Sequence, residues 1–140
     1  METSDKKHWV RRAILTGTLY LIFGVVFAVF AKLATSKEMG LVWRWAAWLA
    51  SAVVFALHIW YEKFRMGNSP KSTALYASVA SAFGAFTLAL AANVNELLTA
   101  SGYRYTLAIA IVIWPIITFV PAFFITWVVA ALLAKIKQKN

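Results

Sequence analysis

The sequence predicts an all-α integral membrane protein, a bundle of four transmembrane helices joined by short loops. Composition is the first observation behind this class. Of the 140 residues, 62% are hydrophobic and 14% are charged, whereas about a quarter of a soluble domain is charged. A soluble fold of this length cannot bury so much apolar surface, because small domains keep a large share of their area exposed. The composition also excludes a disordered chain, and the lack of cysteine excludes a disulfide-stabilised secreted domain.

The second observation is that the apolar residues fall into four runs, each as long as the roughly 20 residues that a spanning helix needs. These runs are continuous and do not alternate with polar residues, so they predict helices and not barrel strands. The connecting segments are short, and we expect residues 1–140 to form one transmembrane domain. The predicted spans are residues 13–34, 42–61, 73–95 and 105–134.

The first span has two possible interpretations. The basic start and apolar run of the first span also fit a cleaved signal peptide, but the run exceeds the usual core of about 7–15 residues, and we expect it to be retained.

The fourth span would be roughly 45 Å long at 1.5 Å per residue. Because interior prolines remove a helical hydrogen bond, Pro115 and Pro121 predict a long, kinked helix. They are hinge candidates, and a static kink is the alternative.

The basic residues predict the orientation. Most lie near the two termini or in the loop between the second and third spans, so the positive-inside rule predicts cytoplasmic termini. We expect a multi-pass protein of the bacterial inner (plasma) membrane. The formal charge of +9 is then a topology signal and predicts binding of anionic lipids on the cytoplasmic face, not of nucleic acid. The cytoplasmic set is Lys6, Lys7, Arg11, Arg12, Lys63, Arg65, Lys71, Lys135, Lys137 and Lys139, against Lys32, Lys37, Arg44 and Arg104 on the other side.

Small residues predict how the helices pack, because helix association in lipid relies on close contact between small side chains. A stripe of such residues along the third span, from Ala74 to Ala92, predicts that this helix is central. The alternative is that one small-residue stripe mediates oligomerisation. The predicted packing residues are Gly17, Gly24 and Ala28 in the first span and Ser78, Ser81, Gly84 and Ala85 in the third.

A first polar cluster lies at the cytoplasmic end of the second span. His58, Glu62 and Arg65 are spaced by four and three residues, which places them on one helix face. A His and a Glu so placed can relay a proton or contribute to a metal site, but two ligands are too few for zinc. We therefore predict no metal and no cofactor. The alternative is an interfacial helix end at which Glu62 pairs with Arg65 or Lys63.

A second polar cluster lies at the far end of the third span, where Asn93 and Glu96 share a face. It allows a binding site at the mouth of a solute or ion path, or a helix end that simply becomes polar as it leaves the bilayer. The middle of the predicted membrane contains no acid or base, and proton-coupled carriers usually need one there.

Three functions are compatible with these patterns. The favoured one is a small non-enzymatic membrane protein, acting as a homo-oligomer or as an accessory subunit of a larger membrane complex. The first alternative is a small-solute or ion transporter or channel that uses the polar clusters at both membrane faces. The second is a lipid- or quinone-directed membrane enzyme in which His58 and Glu62 act as acid and base.

Overall fold

The computed structural model describes residues 3–99 and 105–137, with side chains from residue 8 to residue 136. The described residues form helices α1 (Thr3–Leu33), α2 (Lys37–Trp60), α3 (Pro70–Thr99) and α4 (Tyr105–Lys137), and a π-helical turn, Tyr61–Arg65, continues α2. All four helices are long and apolar enough to cross a membrane. The predicted all-α class is therefore confirmed. Of the residues used to predict the orientation, Arg104 and Lys139 lie outside the described ones.

The loops are shorter than hydropathy predicts. Ser36 caps α2, and its Oγ accepts a hydrogen bond of 3.2 Å from the Met39 N–H, so the helix begins five residues before the predicted span. Ser69 Oγ accepts a bond of 3.2 Å from the Ser72 N–H, and Pro70 starts α3, a position where its missing N–H costs nothing. Hydropathy locates the end of an apolar run, whereas capping groups decide where the helical backbone ends.

The four apolar helices pack in the order α2, α1, α3, α4, and they are consistent with a helical membrane bundle. Helix α3 packs on α1 and on α4, α1 packs on α2, and α2 makes only limited contact with α3. This confirms the prediction that the third helix is central. Helices α1 and α3 run in the same direction, because Gly17 lies against Phe83 whereas Gly24, two turns later, lies against Leu88.

Most of the predicted packing residues lie between helices. Gly17, Ser78 and Gly84 are buried, and Gly24, Ser81 and Ala85 are half-buried. Two expectations need correction. Ala28 is exposed, because the last turns of α1 contact α2 through Phe30, whose ring lies 4.8 Å from that of Trp43. The buried stripe of α3 ends at Asn93 and not at the exposed Ala92.

Helix α4 has 33 residues and includes both Pro115 and Pro121 within its length. It is as long as predicted. The kink, and the hinge role of the two prolines, stay predictions.

Candidate functional site

The first polar cluster is built around an ion pair between α1 and the end of α2. Arg12 Nε donates to Glu62 Oε1 at 2.8 Å, and Arg12 Nη2 donates to Oε2 at 3.5 Å. The Glu62 side chain is 1% exposed and that of Arg12 is 20% exposed. A carboxylate can be buried only with a partner for its charge. Arg12 is that partner, and its guanidinium makes a bidentate contact with the Glu62 carboxylate.

Asn68 completes the coordination of Glu62. Its Nδ2 donates to Glu62 Oε2 at 2.5 Å, and its backbone N–H donates to the Glu62 carbonyl oxygen at 3.2 Å. The chain can fold back in this way because Gly67 has a φ of 65°, which glycine adopts without steric cost. Lys63 Nζ also donates to the Asn68 carbonyl oxygen at 3.2 Å. The loop is thus fastened to the end of α2 at several points.

The π-helical turn changes which side chains share a face. The Met66 N–H donates to the Tyr61 carbonyl oxygen at 3.2 Å, five residues back and not four, so the turn is wider than in an α-helix. Arg65 is exposed while Glu62 is fully buried. The predicted cluster of His58, Glu62 and Arg65 is therefore wrong in its third member. The predicted ion pair of Glu62 with Arg65 or Lys63 is replaced by the pair with Arg12.

A second polar pair lies about one helical turn deeper. Thr16 Oγ1 and His58 Nδ1 share a hydrogen bond of 3.1 Å, and His58 is 8% exposed. Among the described contacts no hydrogen bond joins His58 to Glu62, whose carboxylate accepts from Arg12 and Asn68. The pairing of His58 with Glu62 as acid and base stays a prediction. No group of three His, Asp or Glu side chains in residues 8–99 and 105–136 is placed to hold a metal ion.

A groove of about 410 Å³ runs beside these pairs. The α1 lining residues, and all but Trp60 of those from Val54 to Tyr61, are spaced i, i+3, i+4 and i+7, which is one face of a helix. The α1 wall runs from Arg12 to Leu19 and the α2 wall from Val54 to Tyr61. The lining residues are Arg12, Leu15, Thr16, Leu19, Val54, Leu57, His58, Trp60 and Tyr61.

The second polar cluster lies at the opposite end of α3. Asn93 is buried, and its Nδ2 donates to the carbonyl oxygens of Ala89 at 2.8 Å and Leu107 at 2.6 Å, so it ties α3 to α4. Glu96 is half-buried. About 24 residues of helix separate Asn93 from the loop that binds Glu62, roughly 35 Å at 1.5 Å per residue. Neither Asn93 nor Glu96 lines the groove.

Sequence reasoning did not assign Arg12, Thr16 or Asn68 to the site. Arg12 was counted only for topology, although a buried acid at a helix end requires a cation close by. Thr16 lies four residues after Arg12, on the same face of α1. Asn68 has no sequence pattern that links it to Glu62, because their contact depends on the conformation of Gly67.

The fold thus defines an all-α chain with four helices long and apolar enough to cross a membrane. Comparison with protein-family models, with curated proteins and with solved structures gives no significant match.

Proposed function

We propose that this chain is a small non-enzymatic protein of the bacterial inner membrane, which acts as a homo-oligomer or as an accessory subunit of a larger membrane complex. The unequal burial of its helices carries the proposal. Within the most apolar stretch of each helix, 39% of the α3 residues are buried inside the chain, against 6% in α4 and none in α2. The outer helices thus bury few residues completely, and each keeps exposed apolar residues that other membrane helices can contact.

Helix α2 offers the most suitable surface for such an association. Ala52 and Ala56 are both exposed and lie four residues apart, the small-xxx-small spacing that lets two helices approach closely in lipid. Leu49 and Val53 flank them at 68% and 51% exposure. We name this surface, Leu49, Ala52, Val53 and Ala56, the α2 outer face.

The polar contacts of Glu62 support a structural and not a catalytic role. Its carboxylate accepts from Arg12 and Asn68, and its carbonyl oxygen accepts from the Asn68 N–H. All these contacts join α1 to α2 or fasten the following loop.

Single cysteines test the proposal, because the chain contains none of its own. Oxidation in native membranes is expected to crosslink Ala52→Cys or Ala56→Cys into a homodimer, or to a second protein if the chain is an accessory subunit. Val112 lies on α4, the other outer helix, and is 62% exposed, so Val112→Cys tests whether α4 contacts another copy or a partner. Ala77→Cys, at a fully buried position of α3, is the control and should give monomer. Monomer at every exposed position, together with native purification that yields no further copy and no partner, would contradict the proposal.

A further inference from the structure

The groove between α1 and α2 changes from polar to apolar along its length. Arg12, Tyr61 and the Thr16–His58 pair lie toward one end, and Leu15, Leu19, Val54 and Leu57 supply the apolar walls. The helices are antiparallel, because Arg12 meets Glu62 whereas Phe27, further along α1, meets Trp43 near the start of α2. Seven residues of helix, about 10 Å, therefore lead from a cationic end to an aliphatic one.

We propose that this groove binds one anionic phospholipid, with the headgroup phosphate at Arg12 and an acyl chain along the aliphatic walls. Arg12 is suited to the phosphate because Glu62 takes its Nε and Nη2, which leaves Nη1 without an acceptor among the side chains that the structure describes. Its guanidinium is held in place by the buried carboxylate, so little side-chain entropy is lost when an anion binds.

The surrounding charge favours an anionic lipid over a zwitterionic one. Arg11, Arg65 and Lys71 are exposed at the same end of the bundle. Among the side chains described at this end, Glu62 is the only acid, and its charge is paired with Arg12. Basic pockets between transmembrane helices are a known way of binding lipid phosphate groups.

The depth of the groove matches a lipid better than a helix of another copy. Arg12 stands immediately before the apolar run of α1, and Trp60 and Tyr61 line the groove at the same level. Trp and Tyr rings prefer the boundary between headgroups and hydrocarbon. The cationic end thus falls at headgroup level and the aliphatic walls at acyl-chain level. A helix would place apolar side chains along the whole length of the groove, including the cationic end.

Titration of the purified protein with phosphatidylglycerol, followed by native mass spectrometry, tests this proposal. The wild-type chain is expected to retain one phosphatidylglycerol per protomer. Phosphatidylcholine is expected to bind about fivefold more weakly, the effect of one basic contact at a membrane surface. Inorganic phosphate should not displace the bound lipid, because the acyl chain contributes to binding. Equal retention of the two lipids, or displacement by inorganic phosphate, would overturn the proposal.

Two pairs of variants locate the site. Val54→Phe fills the groove, whereas Val53→Phe places the same ring on the α2 outer face, so only Val54→Phe should lose the lipid. Arg12→Gln/Glu62→Gln removes both charges of the ion pair without changing the net charge, and it should weaken phosphatidylglycerol binding about fivefold. Glu38→Gln/Arg44→Gln, at exposed positions near the opposite end of α2, also keeps the net charge and should bind as the wild type does.

Far-UV circular dichroism of each variant in detergent establishes that the helices are formed. If Val54→Phe is not folded, the charge pair of variants decides alone. Wild-type binding by Arg12→Gln/Glu62→Gln would overturn the proposal, as would wild-type binding by folded Val54→Phe. If the wild-type chain carries no lipid and forms a dimer that Val54→Phe loses, the groove binds a second copy. That result would also overturn the proposal.

Discussion

The two interfaces of α1 are held together by different means. Against α3, α1 uses glycines, and Gly84 of α3 lies so close that an added Cβ would stand 2.6 Å from the Tyr20 Cβ. Against α2, α1 uses the Arg12–Glu62 ion pair and the Thr16–His58 hydrogen bond, and it leaves a groove open between the helices. In lipid, where apolar burial drives helices together only weakly, dense packing and polar contacts are the alternatives. Helix α1 uses dense packing on the face toward α3 and polar contacts on the face toward α2.

This comparison suggests a division of roles. The α1–α3 interface is filled, and it leaves little room for a ligand or for relative motion of the two helices. The α1–α2 interface has polar contacts at one end and the stacking of Phe30 on Trp43 at the other, and it keeps an open groove beside the polar contacts. We therefore expect α1–α3 to be sensitive to added volume and α1–α2 to be sensitive to lost charge.

The largest effect is expected from breaking the ion pair on one side. Arg12→Met leaves the fully buried Glu62 carboxylate without a cation, and such a loss costs about 3–5 kcal/mol. Replacing both residues, as Arg12→Met/Glu62→Leu, should recover most of that stability, because no uncompensated charge is left. The free energy of unfolding, measured by denaturant titration in detergent, checks both. Arg65→Met is the control, and its effect should stay within about 0.5 kcal/mol because the residue is exposed.

If Arg12→Met were no more harmful than Arg65→Met, the ion pair would not be what holds α1 to α2. A double variant as unstable as Arg12→Met would show that the uncompensated charge of Glu62 is not the source of the instability.

The second effect concerns added volume at the α1–α3 interface. Gly84→Ala places a methyl group against the Cβ of Tyr20, which moves only with its backbone, and overpacking of this kind costs about 1–3 kcal/mol. Gly24→Ala should cost less, because the atoms in its way are the flexible δ carbons of Leu88. Gly40→Ala is the control, since its new Cβ would meet the Ala31 carbonyl oxygen at an ordinary 3.5 Å. Thermal unfolding of the three variants should follow that order, and equal losses would contradict a close α1–α3 contact.

The sequence was sufficient to predict the four helices and the central position of α3, because apolar runs of spanning length must satisfy their own backbone and small residues mark close contacts. It was not sufficient for the polar site. Glu62 and Arg12 are fifty residues apart, and a rule that assumes 3.6 residues per turn placed Arg65 beside Glu62. The π-helical turn breaks that spacing, and the reversal at Gly67 brings Asn68 back. Neither feature has a periodic pattern that the sequence could reveal.

The smallest effect is expected at that reversal, which belongs to the polar interface but contributes through backbone conformation. Gly67 has a φ of 65° and nothing within 4 Å of the position of an added Cβ, so Gly67→Ala meets no neighbour. Its cost is only that of the left-handed conformation, about 1–2 kcal/mol. Gly67→Asn should be better tolerated, because asparagine adopts this conformation more readily. Denaturant titration of the two variants separates conformational strain from crowding. If Gly67→Ala is as stable as the wild type, then the reversal does not depend on a residue that readily adopts the left-handed conformation, and the contacts of Asn68 with Glu62 hold it alone.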